Sequence, residues 1–141
     1  MKYFIFCIAV LTGLWACNGS YSNNSKMKNI AQDTANYTTI QWIDSVQNFG
    51  TARFGDMVNI KYTFKNTGDK PLYIIDVQPT CGCTIADYTQ TAVMPGNAGV
   101  VRAVYDSRHD SPGVVNKNII VTSNAKNAPH FVLAFTGTVA R

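Results

Sequence analysis

From Val58 to Lys65 the chain alternates without a break: Val58, Ile60, Tyr62 and Phe64 are apolar, while Asn59, Lys61, Thr63 and Lys65 between them are polar. Successive side chains of a strand point to opposite faces, so eight residues of strict period two describe a half-buried strand. The rest of the region after residue 36 carries the same kind of signal. Tyr37 to Ile43 is rich in β-branched and aromatic residues, and Val46 to Gly50 continues it after a break at Asp44-Ser45. Leu72 to Val77 is almost entirely apolar, which predicts a central strand covered on both faces. Further strands are expected at Gly99–Tyr105, Val114–Ser123 and Phe131–Val139. Turn chemistry separates them: Asn66-Thr67-Gly68-Asp69, Met94-Pro95-Gly96-Asn97, Ser111-Pro112-Gly113 and Asn124–Pro129. No segment shows a long 3.6-residue period. Composition agrees, since Val, Ile and Thr make up 38 of 141 residues and all eight acids are Asp, none the helix-favouring Glu. About seven short strands in about 105 residues point to an all-β, immunoglobulin-like sandwich, with an open barrel as the alternative.

The N-terminus follows different rules. Lys2 is followed by an uninterrupted apolar run from Tyr3 to Leu11. Such a run falls short of the roughly 20 residues a spanning helix needs, and a short apolar run after a basic start is the pattern of a signal peptide. The segment ends Leu14-Trp15-Ala16-Cys17, which resembles the lipobox of bacterial lipoproteins. The resemblance implies cleavage after Ala16 and lipidation of Cys17. Residues 17–36 then read as the lipidated N-terminus and a flexible, Asn/Ser-rich tether with a reach of about 25 Å. Residues 37–141 form the sandwich domain.

Several pieces of that domain carry a resemblance: Val46-Gln47-Asn48-Phe49-Gly50, then Phe64 to Leu72 (FKNTGDKPL), then Pro79-Thr80-Cys81-Gly82-Cys83-Thr84, then Met94-Pro95-Gly96. Tyr105-Asp106, Gly113, Val121-Thr122-Ser123-Asn124 and Gly137 extend it. Over roughly residues 38–139 the chain resembles the bacterial domain of unknown function 1573. That resemblance implies an immunoglobulin-like domain of the Hydin/ASPM type in an envelope lipoprotein, and it implies no particular reaction. In bacteria of the Bacteroides group, an acidic stretch just after the lipidated cysteine accompanies export to the surface. No such run follows Cys17, so the periplasmic side is expected over the cell surface.

Cys81-Gly82-Cys83 admits three readings. In an extended strand, residues two apart have Cα atoms roughly 6.5–7 Å apart, the far limit for a disulfide. Gly82 is expected to relax this by turning sharply between the two cysteines. The first reading is structural: a tight strand-end turn with buried thiols or a local bridge. The second is a redox-active thiol pair, because so small a ring restrains the unfolded chain little. The third is a soft metal such as Cu(I), which accepts two sulfur ligands, as in an immunoglobulin-like copper chaperone with a Cys-x-Cys motif. Zinc is disfavoured, with only His109 and His130 left to complete four ligands.

The remaining polar residues read as structural. His109 lies in a polar loop and His130 begins the last strand, while Asp76 interrupts an apolar run and is expected to accept a hydrogen bond. Trp42, Tyr62, Tyr73 and Tyr105 are expected in the core or at its rim. No carboxylate pair, phosphate loop or nucleophile elbow appears. The net charge of +4 is small and dispersed, which argues against a nucleic-acid surface. The expectation is a non-catalytic binding or assembly module without a cofactor. It would be held to a membrane through its lipid and would contact an envelope protein or glycan. A thiol-redox or copper-handling protein using Cys81 and Cys83 is the alternative.

Overall fold

The structure is a computed structural model and describes Asn29 and residues 33–141. The expected signal peptide, Cys17 and most of the expected tether lie outside the described residues. Eight strands follow one another: β1 (Ile40–Trp42), β2 (Val46–Arg53), β3 (Met57–Asn66), β4 (Ile74–Pro79), β5 (Thr84–Tyr88), β6 (Ala98–Asp106), β7 (Gly113–Ser123) and β8 (His130–Ala140). They form two four-stranded sheets, β1-β3-β6-β5 and β2-β8-β7-β4. Among the described residues no helix is long and apolar enough to cross a membrane.

The alternation at residues 58–65 has the expected consequence. Ile60, Tyr62 and Phe64 are buried, Val58 packs against them, and Lys61 and Lys65 are exposed. Their partners on β6 repeat the rule, since Tyr62 stands opposite Val101 and Ile60 opposite Ala103. The second sheet supplies Ile119, Val121, Leu133, Phe135 and Val139 to the same core. Aromatic rings join the layers: Trp42 of β1 stacks on Phe131 of β8 at 5.2 Å, and Phe49 of β2 lies 5.8 Å from Tyr105 of β6.

The break at Asp44-Ser45 is where the chain changes sheets. β1 pairs antiparallel with β3, whereas β2 crosses over and pairs parallel with β8. The Ile43 amide still donates to the Thr63 carbonyl of β3 at 2.9 Å, and the Ser45 carbonyl already accepts from the Ala134 amide of β8 at 2.9 Å, so one expected strand is split between two layers within these three residues. Before it, Thr34–Asn36 form a single 3-10 turn capped by the Asp33 carboxylate, and the Asn36 carbonyl accepts from the Asn124 side chain. The last residues of the expected tether are thus fastened to the domain.

The expectation for Leu72–Val77 requires correction: β4 is an edge strand, not a central one. Its register shifts between Ile74 and Asp76, the mark of a β-bulge. The extra residue lets Ile74 be buried and Val77 pack against the core although they are three apart. Leu72, also fully buried, makes a separate bridge to Val93 before the strand begins. An apolar run without alternation here reflects a bulge and not two covered faces. Asp76 holds this irregularity locally, accepting from the Val77 amide at 2.9 Å and from the Gln78 side chain at 2.7 Å.

Candidate functional site

β4 ends at Pro79 on the edge of one sheet, and β5 starts at Thr84 on the edge of the other. Cys81, Gly82 and Cys83 therefore lie in the turn that carries the chain between layers. Both ends of the turn are fastened. The Thr80 amide and hydroxyl each donate to the Asn118 carbonyl at 3.0 Å, and the Asp106 amide donates to the Cys83 carbonyl at 2.9 Å. The turn brings the two Cα atoms to 5.3 Å, and the cysteines are joined by a disulfide. This distance is well inside the range for a bridge and shorter than an extended strand would give.

The two sulfurs do not share one environment. Cys83 is 6% exposed and belongs to the core, whereas Cys81 is partly exposed at its margin. The Thr84 hydroxyl sits 3.5 Å from Cys81 Sγ and 3.8 Å from Cys83 Sγ. With the sulfurs bridged, only the hydroxyl carries hydrogen, so it is the donor. Thr84 closes the Cys-Gly-Cys-Thr run that carries the resemblance, but the sequence assigned it no contact with the sulfurs. Its position follows from the register that sets it opposite Tyr105 and turns it inward.

Gly82 plays a different part from the one expected. Its φ is not among the positive values, which belong to Gly50, Gly55, Gly96 and Gly113, so the turn does not use glycine's left-handed freedom. A Cβ built there meets nothing within 4 Å. Gly82 leaves open space beside the disulfide.

The neighbouring charges are paired. Arg108 hydrogen-bonds the Asp106 carboxylate through Nε and Nη2 and through its backbone amide, which holds that carboxyl down at about 2. His109 lies on the same carboxylate at 3.6 Å with an exposed ring, and His130 Nδ1 is 3.1 Å from Thr122 Oγ1. Among the described residues no group of three or more His, Cys, Asp or Glu side chains comes together to hold a metal ion. Among the described residues the only soft donors gathered are Cys81 and Cys83, and a disulfide offers no thiolate until it is reduced.

A second polar cluster was not anticipated. Tyr105 donates to Asp110 at 2.7 Å, and Lys117 of β7 donates to the other oxygen at 2.9 Å. Burial opposes the charge on Asp110, but these two donors outweigh it and its carboxyl titrates below the usual range. Burial and the hydrogen bond to Asp110 raise the Tyr105 phenol. The cluster ties the two sheets together.

The outer faces of the sheets differ sharply. The first carries Lys61, Lys65, Asp87 and Arg102. In the second, the formally charged residues are Arg53 and Asp76 on the edge strands and Lys117, which is turned inward to Asp110. Its exposed surface includes Asn48, Thr51, Gln78, Asn116, Asn118, His130 and Thr138 together with Val46, Val114, Ile120 and Val132. Val114 is 88% exposed and Val132 54%. A shallow depression of about 360 Å³ opens on this face between Asn48, Thr51, Val114, Thr136 and Thr138. This face was not legible before register was known.

Comparison with known proteins agrees with the architecture. A protein of unknown function from Porphyromonas gingivalis W83 superposes with a TM-score of 0.66 at 16% identity, over 75% of this chain and 49% of that one. The chain thus spans about half the length of that relative. The seventh PapD-like domain of human CEP192 superposes with a TM-score of 0.56 at 12% identity, over 74% of this chain and 87% of that domain. The secreted serine protease VesC from Vibrio cholerae matches with a TM-score of 0.52 at 13% identity, over 72% of this chain and only 23% of its own. At these identities the likeness shows the immunoglobulin-like fold alone. No curated protein matches the chain. The family model described as protein of unknown function DUF1573 matches residues 40–139, which is nearly the whole sandwich, and the chain belongs to that family.

Proposed function

We propose that this chain is a lipid-anchored protein of the cell envelope, on the periplasmic side, whose sandwich acts as a non-catalytic module that binds or assembles with another envelope protein. The outer face of β2-β8-β7-β4 is its contact surface. One observation carries this reading: that face exposes Val46, Val114, Ile120 and Val132 among uncharged Asn and Thr, while the opposite face is charged. Interface centres are depleted in charge, because desolvating a charge costs more than contact with a neutral partner returns. The anchor is Cys17, placed at the end of the apolar leader. Stable attachment takes more than one acyl chain, as a lipoprotein N-terminus provides.

The test is photo-crosslinking in intact cells with a benzophenone residue at Val132, and separately at Thr63 on the opposite face. Adducts of defined mass from position 132 and none from 63 support the reading. The reverse pattern, or adducts to glycan only, contradicts it. Palmitate incorporation that persists in Cys17→Ser would remove the anchor from the account.

A further inference from the structure

We propose that Cys81–Cys83 is a thiol–disulfide exchange site that oxidises a dithiol on a partner polypeptide. Three features of the turn converge on this. The bridge joins residues only two apart, and the ladders β4–β7 and β5–β6 on either side already fix the chain, so opening it releases no distant part of the fold. The sulfurs are unequal: Cys81 is reachable at the margin and Cys83 is buried. Exchange requires the incoming thiolate in line with the bond that breaks, so approach from solvent selects Cys81 Sγ for attack and Cys83 Sγ as the leaving group. Finally, the space beside Gly82 is empty, which gives a partner backbone room to bring its sulfur to Cys81.

The chemistry balances in two steps. A thiolate of the partner attacks Cys81 Sγ, forming a mixed disulfide, and the electron pair of the broken bond leaves on Cys83 Sγ. The Thr84 hydroxyl, 3.8 Å from that sulfur, is placed to donate a hydrogen bond to the new thiolate. The partner's second thiolate then attacks its own sulfur in the mixed disulfide and displaces Cys81. The partner has lost two electrons and two protons and gained a disulfide. Cys81 and Cys83 have taken them up as two thiols. This activity is independent of what docks on the β2-β8-β7-β4 face, so either can fail without the other.

The experiment uses the full chain in its oxidised form and a synthetic peptide carrying two cysteines as the probe. The double variant Cys81→Ser/Cys83→Ser keeps Cys7 and Cys17 and sets the baseline. Unmodified protein is expected to convert one equivalent of peptide dithiol to disulfide above that baseline. With the disulfide form of the peptide, Cys83→Ser should form a mixed disulfide at Cys81 about tenfold or more faster than Cys81→Ser does at Cys83, as access dictates. Thr84→Val should slow the first reaction several-fold, and Thr84→Ser should restore it. Peptide oxidation no greater than the baseline overturns the proposal, and so do equal rates at Cys81 and Cys83.

Discussion

The Tyr62 hydroxyl of β3 donates to the Ala134 carbonyl of β8 at 2.7 Å, a hydrogen bond that crosses from one sheet to the other. Tyr62 is otherwise enclosed, and burial pushes its phenol up to about 12, so it stays a neutral donor throughout the physiological range. Tyr62→Phe keeps the ring and removes this donor. The variant should lose about 1 kcal/mol, the usual net worth of such a bond, in urea unfolding. An unchanged midpoint would mean the contact contributes nothing.

The period-two assignment of β3 is open to a paired comparison. Phe64 is fully buried and contacts Trp42 edge-on at 5.3 Å, whereas Lys61 is exposed. Phe64→Ala should cost roughly 3–5 kcal/mol and Lys61→Ala within about 0.5 kcal/mol. Similar denaturation midpoints for the two variants would contradict the assignment.

Two glycines separate space from backbone. A Cβ at Gly137 would run into the Phe49 ring, which enters the core beside the β2 irregularity, whereas one at Gly82 meets nothing. Gly137→Ala should therefore destabilise by about 1–3 kcal/mol through overpacking, and Gly82→Ala should stay within about 0.5 kcal/mol. Thermal melts of the two side by side check this; a large loss at Gly82 would show that the turn depends on glycine after all.

Acid sensitivity should centre on two carboxylates. Asp106 is held at about 2 by Arg108, and Asp110 is lowered by Tyr105 and Lys117 against the effect of burial. A folded value below the unfolded one, about 3.9 for Asp, gives stability that is full above that pH and lost as pH falls towards the folded value. Unfolding followed from pH 5 down to about 2 should show this loss, and Asp110→Asn should flatten it. A stability profile rising in acid would have the wrong sign.

How much could be read in advance depended on whether a signal was local. β3, β6, β7 and β8 declared themselves because alternation and flanking turns are properties of short windows. β4 misled because its bulge places Ile74 and Val77, three apart, in the core and erases the alternation. The Asp44-Ser45 break was visible, but the change of sheet was not, since it depends on which ladder has a vacant edge. Cys81 and Cys83 were found from their spacing alone. Thr84 stood in the quoted motif, but its contact with both sulfurs was not legible because it comes from pairing with β6, and Lys117 was missed because it looked like any polar residue of an alternating strand. The outer face of β2-β8-β7-β4, with its charges confined to the edge strands, had no signature at all, since it is assembled from four strands that are dispersed in the chain.

The central claim is that this face, and not the charged one, meets the partner. It is tested most directly by capture from solubilised membranes with tagged full-length protein, comparing Asn116→Lys/Val132→Lys with Lys61→Ser/Lys65→Ser. Both pairs change exposed residues, so both should fold with nearly unaltered melts. Two lysines buried in a neutral contact should abolish recovery of the protein cross-linked at position 132, while loss of the opposite lysines should leave it unchanged. Recovery that survives the first pair and disappears with the second would contradict the account.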